Sequence, residues 1–366
     1  MTRTTALATF LLMFAAISQA ADPIPVADFI EDTGVRESGP PVRERPGWQP
    51  GATILVNAAA GITDGLADDF PAARLVFVEG TDDALAHARS AAAMIGFCTP
   101  EVLDAAPKLV WVQVYWAGVE GCLANEVMGS GQVLLTNMQK MSSPTIGEHA
   151  IALMLSLTRG LTGLAKHMED GEWRRADVRQ SDVYSVDGKT VLVAGLGGIG
   201  KQVARRAKAL GMRVVATRNS SRQGPAYVDY VGLSDELLAL AREADVVVNA
   251  LPLTEATAGL FDATFFATVK PGSYFINVGR GGTVVTDALR AALDSGRIAG
   301  AGLDVTDPEP LPADHPLWQM SNVIITPHVA SVGGSRRWHA MLVRENLRRY
   351  LAGEALLNVV DPERGY

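Results

Sequence analysis

Short apolar runs rich in β-branched residues alternate with Ala- and Leu-rich stretches from about residue 52 to residue 325. Short apolar runs of this kind predict buried strands, and the stretches between them predict helices. The alternation therefore predicts an α/β protein built from βαβ units with mostly parallel sheets. The predicted strands are 53–56, 75–78, 93–97, 109–114, 190–194, 212–217, 245–251, 273–278, 300–305 and 322–325.

Two long helices are predicted outside this alternation. Residues 146–161 carry apolar side chains at helical spacing and predict one long connector helix with a buried face. Residues 337–352 predict an amphipathic helix that closes the chain. Several prolines among scattered charges mark residues 22–51, which we expect to form an exposed segment.

The first twenty residues have the layout of a signal peptide. One positive charge precedes an apolar run at residues 6–17, and Ser18-Gln19-Ala20 then places small residues, Ser18 and Ala20, at both positions that a signal peptidase reads. The run is short for a membrane span, so we expect export and cleavage. A frayed N-terminal helix, or a misassigned start codon and a cytoplasmic protein, are the alternatives.

The composition excludes several classes of protein. Of 366 residues, 48% are apolar and 20% are charged, which excludes disorder, and the net charge of −8 argues against binding to nucleic acid or acidic membranes. Cys98 and Cys122 could pair in an oxidising compartment, but two buried free thiols are the favoured interpretation. Five histidines lack metal-ligand neighbours at useful spacing, so we expect no metal and interpret them as structural or surface residues: His87, His149, His167, His315 and His339.

A glycine-rich motif, Gly195-Leu196-Gly197-Gly198-Ile199-Gly200, joins a predicted strand to a predicted helix. A strand, a glycine turn, a helix and a second strand in this order are typical of a dinucleotide site. Gly195 permits the tight turn, Gly197 lets a pyrophosphate approach the backbone, and Gly200 lets the helix pack on the strand. The free N–H groups of Gly198 and Ile199, at the start of the helix, would face the phosphates.

The end of the second strand of this unit indicates which dinucleotide binds. An NAD site needs an acidic residue there, but the chain offers Arg218, Asn219 and Arg222, and no carboxylate before Asp229. The two guanidinium groups suit a 2′-phosphate, although they could also be solvated surface side chains. We therefore predict that NADP(H) is preferred and that NAD(H) remains possible.

Three chemically useful side chains follow three predicted strands of the second half. Arg280 follows 273–278, Glu309 follows 300–305 and His328 follows 322–325. Because ligands lie outside the carboxyl ends of such strands, we expect the three groups on the cofactor side of one sheet. A histidine paired with a carboxylate can protonate a carbonyl oxygen, and an arginine can hold a carboxylate and polarise the carbonyl. The set predicts hydride transfer to a 2-keto acid.

In these motifs the chain resembles the D-isomer-specific 2-hydroxyacid dehydrogenase family, and its last segments resemble the glyoxylate/hydroxypyruvate reductase branch. The matching segments are 195–200, 276–281, 302–305, 309–311, 316–318, 326–328, 345–347 and 357–361. The resemblance implies two Rossmann-like domains, with the cofactor domain inserted into a discontinuous substrate domain. The implied bounds are signal peptide 1–20, substrate domain 21–145, NAD(P)-binding domain 146–329, and 330–366 returning to the substrate domain.

The resemblance also assigns roles to residues. It gives Arg280, Glu309 and His328 the catalytic roles stated above, and it places Asp304 near the nicotinamide amide. Residues at the ends of strands, Pro252 and Val278, join the predicted cofactor site. The segment whose backbone N–H groups would hold the substrate carboxylate contains Trp116, Ala117, Gly118 and Val119, followed by Glu120. Homodimers, usual in the family, would bury residues 148–164.

The sequence thus predicts an NAD(P)H-dependent reductase of small 2-keto acids such as glyoxylate or hydroxypyruvate. The alternative is a dinucleotide-binding sensor or corepressor-like module with little turnover. A related dehydrogenase acting on phosphite or formate is disfavoured, since the formate branch carries Gln where Glu309 stands.

Overall fold

The polypeptide is organised around two parallel sheets. The computed structural model describes residues 25–173, 175, 183–334 and 336–363, and the predicted signal peptide lies outside these ranges. Within them no helix is long and apolar enough to cross a membrane. Both sheets consist of short strands with few polar side chains, as expected where helices cover the two faces of a sheet.

The first sheet has five strands in the order β2-β1-β3-β4-β5. Its central strand β3 is buried along its whole length, which explains its run of small and apolar residues. The elements of this half are α1 Val26–Thr33, β1 Thr53–Asn57, α2 Leu66–Asp69, β2 Leu75–Val78, α3 Thr81–Ala88, β3 Ala91–Ile95, α4 Pro100–Asp104, β4 Trp111–Gln113, α5 Glu120–Leu123, α6 Glu126–Gly129 and β5 Leu134–Thr136.

The second sheet has seven strands in the order β12-β11-β10-β9-β6-β7-β8. Together the two sheets confirm the predicted α/β class. The remaining elements are α7 Ser143–Thr158, α8 Leu161–Glu169, β6 Thr190–Ala194, α9 Gly198–Ala209, β7 Arg213–Thr217, β8 Tyr230–Gly232, α10 Leu237–Ala241, β9 Val246–Asn249, α11 Ala263–Thr268, β10 Ser273–Asn277, α12 Thr286–Asp294, β11 Ile298–Leu303, β12 Val323–Ile325 and α13 Arg336–Ala352.

The strand order of the second sheet determines where a ligand can bind. From β6 the chain proceeds to β7 and β8 on one side, and then returns to β9 on the other side of β6. The order in which strands are added to the sheet therefore reverses between the parallel strands β6 and β9, and open α/β sheets bind ligands in the crevice at such a switch point. The glycine motif lies directly after β6, at this crevice.

The C-terminal helix α13 packs on the first sheet rather than on the second. Its Leu342, Leu347 and Tyr350 are buried in the core of that sheet, and Tyr350 stacks on Trp111 of β4 at 5.0 Å between ring centroids. Helix α1 joins the same core, because Phe29 is fully buried there. Most of the described part of residues 22–51 is exposed, as predicted, but Phe29, Val35 and Val42 are exceptions, because they are buried in the core of the first sheet.

The connector between the sheets is two helices instead of the single long helix that was predicted. Gly160, with φ of 62°, separates α7 from α8. A left-handed residue ends an α-helix, and glycine adopts this conformation without a steric penalty. Apolar side chains of α7, including Leu153 and Leu157, are buried against the second sheet.

The two cysteines form a disulfide, Cys98–Cys122. The favoured expectation of two free thiols is thus wrong for this structure. Cys98 lies just after β3 and Cys122 lies in α5, and the fold brings their Cα atoms to 5.6 Å, within the range that a disulfide spans. The bond attaches α5, which begins at Glu120, to the body of the first sheet.

Candidate active site

A histidine and a carboxylate meet at the carboxyl ends of β11 and β12. Nδ1 of His328 lies 2.6 Å from Oε1 of Glu309, and each side chain is nearly half exposed to solvent. A carboxylate at Nδ1 fixes the orientation of the ring and leaves Nε2 as the nitrogen that can exchange a proton with a ligand. The pair expected from the sequence is therefore assembled.

The backbone of His328 is held in an uncommon conformation. Its φ is 53°, in the left-handed region that non-glycine residues rarely adopt. Its N–H donates to the carbonyl oxygen of Asp304 at 2.8 Å, which ties it to the end of β11. Strained residues persist where the surrounding structure determines them, and they concentrate at functional sites.

Asp304 holds the segment that carries His328. Its carboxylate is buried and accepts hydrogen bonds from Thr326 Oγ1 at 2.6 Å and from the N–H groups of Val329 and Ala330 at 3.0 and 3.1 Å. His149 of α7 joins this network, with Nε2 2.9 Å from Thr326 Oγ1. The contact of Asp304 with the nicotinamide amide stays a prediction. His149 therefore has the structural role expected of it, through its contact with Thr326. The sequence contains no signal of that contact.

Arg280 spans the space between the two halves of the protein. It follows β10, its Nε donates to Oε1 of Glu120 at 3.2 Å, and its Nη1 donates to the carbonyl of Gly279 at 3.0 Å. A Cβ atom at Gly118 would lie 2.5 Å from Nη2 of Arg280, so a side chain there would displace the guanidinium. The arginine thus lies directly against the segment predicted to bind a carboxylate.

This segment is shaped to present backbone donors. The carbonyl of Trp116 accepts from the N–H of Met138 at 3.0 Å, and the carbonyl of Ala117 accepts from Asn137 Nδ2 at 2.7 Å. Within the described part of the chain, the N–H groups of Ala117 and Gly118 donate to no protein acceptor. Trp116 is 44% exposed and Val119 is buried, so the tryptophan can line a pocket while the valine anchors the loop.

The glycine motif forms a cradle that fits a dinucleotide pyrophosphate. Gly195 has φ of 94°, and a Cβ at Gly200 would lie 1.9 Å from the Gly195 carbonyl oxygen, so both positions exclude side chains. Gly197 faces open space, and α9 begins at Gly198 without a side-chain cap. The first N–H groups of α9, including that of Ile199, are therefore available to an anion.

The loop after β7 differs in one respect from the expectation. Arg218 Nη1 donates to the carbonyl of Gln223 at 3.0 Å, which leaves its other guanidinium N–H groups without an acceptor among the described residues. Arg222, however, contacts Glu236 Oε1 at 2.7 Å and the hydroxyl of Tyr230 at 3.1 Å. A carboxylate therefore does lie beside this loop, brought in from the turn after β8.

Glu236 is strongly held in its ionised form. Hydrogen bonds from the Tyr230 hydroxyl, from the N–H of Leu233 and from Arg222 lower its pKa to about 2. Glu236 was not predicted beside this loop because it follows β8 and does not lie in the stretch directly after β7. Asn219 is exposed in the same loop.

The other predicted cofactor residues lie along the crevice. Pro252 follows β9, and its carbonyl accepts from Thr257 Oγ1 at 2.7 Å. Val278 is buried after β10, and its N–H donates to the carbonyl of Asn249 at 3.1 Å. Among the described residues, no group of three His, Cys, Asp or Glu side chains could hold a metal ion.

Comparisons with known proteins agree with this geometry. Residues 151–330 match the model of the D-isomer specific 2-hydroxyacid dehydrogenase, NAD binding domain. A glyoxylate reductase of Korarchaeum cryptofilum is 35% identical over 72% of this chain and 79% of its own length. A family member from Xanthobacter autotrophicus, solved with NADPH and MES, is 30% identical with a TM-score of 0.73, covering 86% of this chain and all of that one. An NADPH-dependent glyoxylate/hydroxypyruvate reductase from Sinorhizobium meliloti, solved with NADP and sulfate, is 28% identical with the same TM-score and coverage.

Proposed function

Since this chain belongs to the D-isomer specific 2-hydroxyacid dehydrogenase family and is thus an NAD(P)-dependent oxidoreductase, we propose that it reduces glyoxylate, hydroxypyruvate or a 2-keto acid of similar size to the D-2-hydroxy acid. The observation that carries this proposal is the contact of 2.6 Å between His328 and Glu309 at the carboxyl ends of the strands. A ring so held is suited to protonating the oxygen of a carbonyl.

Each catalytic side chain has a defined task in this proposal. A nicotinamide dinucleotide held by the glycine motif would, when bound, provide the hydride for the reduction. His328 delivers a proton from Nε2 to the carbonyl oxygen, and Glu309 stabilises the positive ring before transfer. Arg280 holds the substrate carboxylate and withdraws charge from the carbonyl, and the free N–H groups of the loop at Gly118 add donors to the same carboxylate.

The preferred cofactor in the proposal is NADPH. Arg218 is the main support, because it lies after β7, where a 2′-phosphate is read, and retains guanidinium N–H groups that no described residue uses. The relatives solved with NADPH or NADP point the same way. Arg222 contributes less than expected from the sequence, since Glu236 already neutralises it.

The proposal includes export and a homodimer. Export is supported by the apolar N-terminal run and by the disulfide, because such bonds persist in oxidising compartments. A dimer is supported by α8 and the residues after it, where Leu161, Met168 and Trp173 expose half or more of their surface, Trp173 as much as 96%. Large exposed apolar side chains in one region are typical of an interface.

A direct assay tests the activity. Purified protein is mixed with NADPH or NADH and with glyoxylate, hydroxypyruvate, pyruvate or phenylglyoxylate, and the nicotinamide absorbance is followed. We expect rapid oxidation of NADPH with one or more of the smaller acids. Tight NADPH binding without turnover of any acid would instead support a cofactor-binding sensor. Sedimentation of the same sample measures whether the protein is a dimer.

A further inference from the structure

Glu120 places a negative charge at the site where the substrate carboxylate is expected. Its Oε1 accepts from Nε of Arg280 at 3.2 Å, and a Cβ at Gly118 would lie 2.8 Å from its Oε2. Half of the Glu120 side chain and about a third of the Arg280 side chain are exposed. The pair is therefore accessible to a ligand, and Glu120 lies next to the guanidinium that would hold it.

The ion pair leaves Arg280 able to bind a carboxylate. A guanidinium has five N–H donors, of which Glu120 uses the one on Nε and Gly279 uses one on Nη1. The donors on Nη2 and the second one on Nη1 remain available for a ligand. A substrate carboxylate can therefore bind while Glu120 stays in place, so both negative groups share one positive partner.

The charges of the site then favour ligands with a single negative charge. Arg280 is balanced by Glu120, and a protonated His328 is balanced by Glu309. One carboxylate on the ligand is attracted by the guanidinium through direct hydrogen bonds. A second carboxylate lacks a further positive partner among these four groups and is repelled by Glu120 a few ångströms away.

We propose that Glu120 is a specificity-determining residue that restricts this enzyme to monoanionic 2-keto acids by repelling a second negative charge on the ligand. The inference rests on the proposed function for its substrate class, but it concerns the charge of the ligand rather than its turnover. It can therefore be tested with unreactive ligands. Oxamate and oxalate have nearly the same size and shape, and at neutral pH they differ by one negative charge.

The test measures binding of both ligands to the full-length protein saturated with NADPH. The fluorescence of Trp116, which is exposed beside the site, or isothermal titration gives the two dissociation constants. The variant Glu120→Gln keeps the size of the side chain and an oxygen for the Arg280 N–H, but it removes the charge. The variant Glu126→Gln removes an equal charge from the exposed side chain that begins α6, and is the matched control.

We expect wild type to bind oxamate more tightly than oxalate, and Glu120→Gln to shift the ratio of the two constants toward oxalate by about 3- to 10-fold. Glu126→Gln should leave the ratio unchanged. A ratio that moves less than about twofold in Glu120→Gln overturns the inference, and so does an equal shift in the control. If the ratio of dissociation constants shifts in Glu120→Gln but the enzyme reduces no 2-keto acid, the inference about Glu120 is supported and the proposed function is contradicted.

Steady-state kinetics provides a second test of how the charge of Glu120 affects substrate selectivity. If wild type reduces hydroxypyruvate, we expect Glu120→Gln to lower the KM for oxaloacetate by about 3- to 10-fold relative to the KM for hydroxypyruvate. A residue that only positioned Arg280 would change kcat for both acids together. An equal change for the two acids would therefore overturn the assignment of specificity to Glu120.

Discussion

The imidazole of His328 and the carboxylate of Glu309 lie 2.6 Å apart although they follow different strands, β12 and β11. If His328 donates the proton, replacing it with Asn should lower kcat by about 10²- to 10⁴-fold, the usual contribution of a general acid. Glu309→Gln should cause a smaller loss, about 10- to 100-fold, because the ring remains but loses its charged partner. Stopped-flow measurement of NADPH oxidation gives both values.

The surface histidine His87 supplies the control for this prediction. It is half exposed on α3 and lies 4.0 Å from Asp83, so His87→Asn removes an imidazole without touching the site. We expect its kcat to equal that of wild type. A loss below tenfold in His328→Asn, with the fold intact by circular dichroism, would contradict the role of His328 as proton donor.

Much of the fold could be predicted from the sequence, because a continuous apolar strand is stable only in a sheet that helices cover on both faces. Strand β6 is rich in β-branched residues and is buried from Val191 onward, and β10 is buried along its whole length, so both patterns are strong. Strands β5, Leu-Leu-Thr, and β8, Tyr-Val-Gly, were missed because neither has a run of β-branched apolar residues, unlike the equally short β12, Val-Ile-Ile. The break at Gly160 was missed because an isolated glycine within an apolar helical pattern is often tolerated.

The candidate site could be predicted only as far as it follows from strand ends. Arg280, Glu309 and His328 were found because each lies in the loop that follows a strand of one sheet. The ion pair of Arg280 with Glu120 joins residues 160 positions apart and depends on how the two halves meet. Likewise, Glu236 reaches Arg222 across a turn, and local sequence contains no sign of such a contact.

Arg218 is expected to determine the choice of cofactor. Arg218→Asp removes the donor for a 2′-phosphate and supplies an acceptor for ribose hydroxyls. Because a charged hydrogen bond contributes about 1.5–3 kcal/mol, the ratio of kcat/KM for NADPH to kcat/KM for NADH should fall tenfold or more. Arg242→Asp, an exposed change elsewhere in the same domain, should leave the ratio unchanged. An unchanged ratio in Arg218→Asp would count against this assignment.

Releasing Arg222 from its carboxylate gives a related prediction for the same loop. Glu236→Gln abolishes the charge that neutralises Arg222, so the positive potential beside Arg218 should rise. We expect the KM for NADPH to fall by a few-fold while the KM for NADH changes little. Equal effects on both cofactors would mean that Arg222 does not reach the 2′-phosphate.

Glu345 is expected to make the stability of the protein depend on pH. Burial raises its pKa, but hydrogen bonds from Arg348 and Arg349 outweigh burial and lower the pKa below its ordinary value of 4.5. A carboxyl with a lowered pKa in the folded state stabilises the fold above about pH 4.5, and this contribution is lost as the pH falls through the lowered value. The free energy of unfolding, measured with denaturant, should therefore decrease in this acidic range.

The variant Glu345→Gln isolates that contribution. At neutral pH we expect it to be less stable than wild type by about 1–3 kcal/mol, because Arg349 keeps Glu37 as a partner but loses one charged acceptor. The difference from wild type should shrink as the pH falls below 4.5. Glu101→Gln, on the exposed face of α4, is the control. A difference that stays constant with pH would contradict the role of Glu345.

The disulfide between Cys98 and Cys122 is expected to contribute to stability and to report where the protein resides. A bond across a sequence separation of 24 restricts the unfolded chain by about 3 kcal/mol in the chain-entropy account. The double variant Cys98→Ser with Cys122→Ser should lose about this much, and wild type treated with a reductant should lose the same amount. Protein from an oxidising compartment should show no free thiol after denaturation. Two reactive thiols in that sample would contradict both the bond and the proposed export.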